Sequence, residues 1–186
     1  MFKKSEIPNI LTIYRVFSIP LIIICIVPQS FLFNWLALIL YVVTCFTDFL
    51  DGYLARKFKV ESKFGKFLDP IADKVLIVSI IFILVAVGRI EGFLIYPSLI
   101  IIIRELLVSG LREFFSNNKP HINVTILAKW KTLLQMISLG FIIIGDDFFY
   151  FSPYIYPIGS FGIFIASILT IYTGYKYFEE NLKTLK

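Results

Sequence analysis

The sequence predicts an all-α polytopic integral membrane protein, a bundle of six transmembrane helices with both termini cytoplasmic. It forms a single membrane domain over residues 1–186. Three observations carry this. Apolar residues make up 58% of the chain, and the mean hydropathy of +0.84 lies far above that of soluble domains. The apolar runs are long and do not alternate, which in a bilayer means helices. The basic residues are segregated to one side. With the N-terminus cytoplasmic, all but two of the 18 Lys and Arg fall at inner ends and loops. Arg104 lies within a span and Arg89 alone is outside, where Glu91, Asp146 and Asp147 lie. This is the positive-inside pattern. The net charge of +5 therefore reads as topology and attraction to anionic lipid, with no nucleic-acid partner.

Taken in order, the first span covers 10–27. Lys3 and Lys4 precede it as in a secretory signal, but Arg15 interrupts the run, no small-x-small cleavage site follows and the chain at once re-enters the membrane. The second span, 34–57, ends in charge with Asp48, Asp51 and Arg56, and a basic loop holding Lys57, Lys59 and Lys63 follows. The third, 68–88, opens on Asp69 and Asp73. The fourth, 93–115, contains Arg104, Glu105 and Arg112; the fifth, 125–144, opens on Lys129 and Lys131; the sixth covers 154–177. Trp35, Trp130, Tyr96, Tyr150 and Tyr154 sit where interfacial aromatics belong. Cys25 and Cys45 lie inside spans and indicate packing, neither a disulfide nor a metal pair. His121, in a polar loop, is given no catalytic role.

The second and third spans carry the chemistry. From Asp48 to Asp73 the chain reads D-x2-D-G-x2-A-R-x8-G-x3-D-x3-D, through Gly52, Ala55, Arg56, Gly65 and Asp69. On helices, Asp48 and Asp51 (i, i+3) share one face, as do Asp69 and Asp73 (i, i+4). Four carboxylates cannot share a low-dielectric site unless cations neutralise them. The expectation is one or two Mg2+ or Mn2+ ions held by Asp48, Asp51, Asp69 and Asp73. Asp69-Pro70 followed by Asp73 also reads as a helix N-terminus. That alternative leaves unexplained Asp48 and Asp51, deep in a span with no adjacent basic partner. Counted from Asn34, Asp48 lies about 21 Å and Asp51 about 25 Å along their helix, in the cytoplasmic third of the bilayer. Asp69 and Asp73 enter at that depth from the same side. A divalent-cation transporter is expected to bind nearer the midplane, so depth favours lipid headgroup chemistry.

Gly52 and Ala55 follow Asp48 and Asp51 at i+4, and small residues there let a ligand or a neighbouring helix approach the backbone. Arg56, at a fixed distance from Asp51, suits bidentate binding of a diphosphate. In the fourth span, Arg104 lies about 16 Å in and requires a partner or a wet cavity. Glu105 points about 100° away from it and reads as a poor partner. Arg112, two turns nearer the cytoplasm, joins Arg104, Lys129 and Lys131 as a basic pocket for a phosphate. Lys129 and Lys131 point to nearly opposite helix faces, so both reach one ligand only if the helix start is irregular.

The spaced motif resembles the signature of the CDP-alcohol phosphatidyltransferases, membrane enzymes that exchange CMP on a CDP-linked lipid for an alcohol. The stretches IPNILTIYR (Ile7 to Arg15), FGKFLDPIADK (Phe64 to Lys74), RELLVSGLREF (Arg104 to Phe114) and AKWKTLLQM (Ala128 to Met136) narrow the likeness. They point to the bacterial members that make phosphatidylglycerophosphate. Ser62 stands where Thr is expected and keeps the hydroxyl; Ala128 stands where Gly is expected. The resemblance implies a donor site for CDP-diacylglycerol at Gly52, Ala55, Arg56 and Ser62, with Asn9 to Thr12 closing over the nucleotide. It implies glycerol 3-phosphate as acceptor, Asp73 as the base that takes its sn-1 proton, a homodimer and a place in the bacterial inner membrane. Cardiolipin, phosphatidylinositol-phosphate and phosphatidylserine synthases share the motif. Only the basic cluster Arg104, Arg112, Lys129 and Lys131 and the flanking stretches argue for a phosphorylated acceptor.

Overall fold

The computed structural model describes the backbone of residues 7–58, 63–116, 126–147 and 152–182, and the side chains of 14–47, 71–111, 126–145, 147 and 153–179. Among the described residues the fold is all-helical, with six α-helices. These are α1 (Ile7–Ile26), α2 (Phe31–Phe58), α3 (Lys63–Ala86), α4 (Ile95–Ser116), α5 (Ile126–Ile144) and α6 (Ser152–Leu182). Single turns of 3-10 helix at Gly92–Leu94 and Gly145–Asp147 lie in the connections before α4 and after α5.

Each helix coincides with an expected span, but several run past it. Hydropathy marks only the stretch that prefers hydrocarbon, whereas backbone hydrogen bonding continues through Lys, Arg and Glu, which are good helix formers. The extension has one consequence for the site. Because α3 starts at Lys63, Asp69 and Pro70 lie inside the helix and not at its N-terminus. The capping explanation for Asp69 is therefore corrected.

Among the described residues, three helical stretches are long and apolar enough to cross a membrane, Gly92–Leu111, Ile126–Ile144 and Pro153–Glu179, with shorter apolar stretches at Tyr14–Ile26 and Phe31–Thr47. Their outward faces are hydrocarbon: Phe17, Leu32, Phe82 and Phe93 are each 70% exposed or more. Apolar surface on this scale requires lipid around it.

Inside, α1 lies against α2 and α3, α6 lies against α5 and α4, and α2 meets α5 to join the two groups. Ile22, Ile26, Ile80, Leu84, Ile101, Leu139, Ile142 and Ile163 are sealed in a continuous core. Two glycines of α6 let α5 come close. A Cβ at Gly159 would stand 3.0 Å from both Ile142 Cγ1 and Phe141 Cβ, and one at Gly162 would overlap the Ser138 hydroxyl. Tyr41 Oη, on α2, donates to the Met136 carbonyl of α5 at 3.1 Å.

The end of the bundle remote from the aspartate motif is fastened by polar contacts that use Arg89. Arg89 Nη1 donates to the carbonyls of Ile142 and Ile143 at the end of α5, where a cation also suits the helix dipole. The carbonyl of Arg89 accepts from Tyr156 Oη at 2.9 Å. Asn34 Nδ2 donates to Asp147, and Gln29 Nε2 donates to the Val87 carbonyl at 2.8 Å. The cavity these residues line, about 400 Å3, is remote from the aspartate motif, since Asn34 and Asp48 are separated by about 21 Å of α2.

Candidate functional site

The backbone places Asp48, Asp51, Gly52, Ala55 and Arg56 on the last third of α2, and Asp69 and Asp73 within α3. Both segments are regular helix. Asp48 and Asp51 are thus about 60° apart on one face and Asp69 and Asp73 about 40° apart on another. Asn9 and Thr12 lie on the first turns of α1, the helix packed against both α2 and α3. The side chains of Asn9, Thr12, Asp48, Asp51, Gly52, Ala55, Arg56, Asp69 and Arg112 lie outside the described residues, as do Ser62 and His121 altogether. Among the described residues no three potential metal ligands gather.

Asp73 is the one motif aspartate whose side chain is described, and it faces an arginine from another helix. Arg15 Nη1 donates to Asp73 Oδ1 at 2.5 Å. The guanidinium is fully enclosed while the carboxylate remains 45% exposed. By position in the sequence alone, Arg15 reads as a basic residue near the inner surface. Burial separates the two roles, because a marker of sidedness snorkels to the headgroups whereas an enclosed cation requires an anion. The signal available in the sequence was an arginine inside an apolar run, with no acidic neighbour on its own helix.

Asp73 offers a half-exposed carboxylate, and the other three aspartates of the motif are carboxylates too, so the donor chemistry the sequence supplies is oxygen alone. That chemistry fits a hard divalent cation, for which carboxylate oxygens are the preferred ligands.

A second polar group forms where α4, α5 and α6 meet. Lys131 is buried and its Nζ donates to Glu105 Oε1. Arg104 Nη1 stands 3.7 Å from the same oxygen, and Arg104 Nη2 donates to Thr173 Oγ1 at 3.1 Å. The stem of Arg104 crosses Gly174, where a Cβ would meet Arg104 Cγ at 3.2 Å. Gln135, one turn along α5 from Lys131, is also buried. The expectation that Glu105 is a poor partner for Arg104 is corrected by this geometry. Helical angle separates the two Cβ positions, but a long side chain swings back over the missing Cβ of Gly174. Because α5 is regular from Ile126, Lys131 faces the bundle while Lys129 is exposed. The structure therefore brings together Arg104, Glu105, Lys131 and Thr173, and leaves Lys129 outside that group.

Residues 5–172 match the family model of the CDP-alcohol phosphatidyltransferases. The chain belongs to this family. Curated relatives match across nearly their whole length. The CDP-diacylglycerol–glycerol-3-phosphate 3-phosphatidyltransferase of Rickettsia bellii is 43% identical, over 96% of this chain and 97% of that protein. The proteins of the same name from Haemophilus influenzae and Bacillus subtilis are 34% and 30% identical, the first over 95% of this chain and 93% of its own length, the second over 97% of each. The stretch matched by the phosphatidyltransferase model contains both polar groups, the aspartate motif with Arg15 and the Arg104–Glu105–Lys131 cluster. Membership makes the chain a transferase of phospholipid biosynthesis, in keeping with its apolar, lipid-facing helices.

Proposed function

We propose that this chain transfers the phosphatidyl group of CDP-diacylglycerol to the sn-1 hydroxyl of glycerol 3-phosphate, giving phosphatidylglycerophosphate and CMP. The observation that carries the reading is the near full-length match to relatives named for that reaction. The cluster of Arg104 with the buried Lys131 adds physical support, since an acceptor bearing its own phosphate needs fixed cations and serine or free inositol does not.

Arg56 and Ser62 bind the donor diphosphate, Gly52 and Ala55 keep that face of α2 low enough for the nucleotide to lie against it, and Asn9 and Thr12 cover it. Asp48, Asp51, Asp69 and Asp73 hold one or two Mg2+ or Mn2+ ions, which when bound neutralise the pyrophosphate and favour departure of CMP. Arg104, Arg112 and Lys131 receive the acceptor phosphate, with Lys129 at the surface of the same helix. Asp73, nearest the acceptor cluster by helix order, accepts the proton of the sn-1 hydroxyl. The hydroxyl oxygen bonds to the β-phosphorus, the bond from that phosphorus to the CMP oxygen breaks, and CMP leaves as the anion. Both lipids keep their acyl chains in the bilayer, so the site opens sideways between helices.

The setting proposed for this chemistry is a single domain over residues 1–186, a homodimer in the bacterial inner membrane. Each chain crosses six times with its termini and active site on the cytoplasmic side. The distribution of basic residues and the six helices support that arrangement.

The test is CMP release from CDP-diacylglycerol by the purified protein, offered a panel of alcohols. Release is expected with glycerol 3-phosphate alone, abolished by EDTA and restored by Mg2+ or Mn2+. Release with phosphatidylglycerol, inositol phosphate or serine in its place would overturn the acceptor assignment.

A further inference from the structure

We propose that Arg15 is a positioning residue for Asp73, and that through it α1 sets the register between the two aspartate-bearing helices. The proposal rests on the reading of Asp73 as a metal ligand and base.

A buried polar chain links the three helices. Thr44 Oγ1, on α2, shares its one hydrogen between Ser18 Oγ of α1 at 2.8 Å and the Leu40 carbonyl of its own helix at 2.7 Å. Ser18 Oγ donates to the carbonyl of Arg15 at 2.8 Å, and the Arg15 guanidinium donates to Asp73 of α3 at 2.5 Å. Thr44, Ser18 and Arg15 are each no more than 1% exposed. Thr44 lies one helical turn before Asp48 on the same face. The chain therefore starts beside the first aspartate pair and ends on the last member of the second.

Asp73 needs such support. A carboxylate that is 45% exposed has room to change rotamer, and a ligand or base that turns loses its direction towards the reacting atoms. A guanidinium held by its own burial offers planar, directional donors and fixes the carboxylate plane through Oδ1. An ammonium at the same place supplies charge without that direction.

The test uses full-length protein in detergent and measures Mn2+ affinity by electron paramagnetic resonance without substrates, beside steady-state kinetics and thermal unfolding. Arg15→Lys and Arg15→Gln are expected to lower Mn2+ affinity and kcat by about 10–100-fold, the range for removing a partner that orients a metal ligand. The KM for glycerol 3-phosphate should change little. In an Asp73→Asn background Arg15→Gln should cause no further loss of Mn2+ affinity. Thr44→Val, which keeps charge and shape, should weaken Mn2+ binding several-fold and decides the question if both Arg15 variants fail to fold. Arg15 variants, or in their absence Thr44→Val, with wild-type Mn2+ affinity and kcat would overturn the proposal. If Asp73→Asn itself kept full Mn2+ affinity and turnover, the reading of Asp73 would fail instead, whatever Arg15 does.

Discussion

At the scale of single residues, two enclosed cations, Arg15 and Lys131, each meet a carboxylate from another helix, and each pair constrains what a substitution does. Lys131 is buried against Glu105, which itself is 19% exposed and also faces Arg104. Glu105→Ala leaves a buried ammonium without its carboxylate. That change is expected to destabilise the fold by about 3–5 kcal/mol, whereas Glu105→Leu with Lys131→Met together recover most of the loss. Thermal unfolding in detergent measures both. A double variant no more stable than Glu105→Ala would show that the loss arises at Arg104, which also faces Glu105, and not at Lys131. Arg15 and Asp73 form the other described pair, and there the consequence lies in geometry, because the carboxylate is still accessible.

At the scale of helices, α5 and α6 approach so closely that a Cβ at Gly159 would fit only if its neighbours gave way. Gly159 faces Ile142, Phe141 and the Ser138 carbonyl at 3.0–3.1 Å from a notional Cβ. Gly159→Ala must push the helices apart or distort Ile142, and a cost of about 1–3 kcal/mol is expected. Gly110 of α4 is the control, since a Cβ there meets nothing within 4 Å. Gly110→Ala should leave stability unchanged or raise it by about 0.5–1 kcal/mol, because a mid-helix glycine pays more backbone entropy than alanine. Equal losses from the two substitutions would refute close packing as the cause. The helices themselves were legible in the sequence, because long apolar runs in a bilayer have no other backbone solution. Their ends were not, as the start of α3 at Lys63 shows. Charged residues leave the hydrocarbon without leaving the helix, so hydropathy and hydrogen bonding stop at different places.

For the whole molecule, sidedness is the property on which the site depends, and it can be tested directly. In a protein with Cys25 and Cys45 replaced, Glu91→Cys and Lys176→Cys place thiols at two exposed positions on opposite ends of the bundle. An impermeant maleimide added to sealed, right-side-out vesicles should label Glu91→Cys and spare Lys176→Cys. The reverse pattern would invert the topology and put the aspartate motif outside. The end that carries Glu91 has its own fastening, Arg89 on the end of α5 and Asn34 on Asp147. The arginine that breaks the charge pattern therefore has a local structural role.

The sequence by itself determined the class of chemistry. Carboxylate spacing is a local property of a helix, so the grouping of Asp48 with Asp51 and of Asp69 with Asp73 can be read without coordinates, as can the excess of inner positive charge. What only the tertiary structure decided is who pairs with whom. Arg15 meets Asp73 across 58 positions and Lys131 meets Glu105 across 26, and the glycine at 174 lets Arg104 turn back towards Glu105. Those contacts depend on which helices pack together and how far side chains reach once backbones are close, and one-dimensional spacing holds neither quantity.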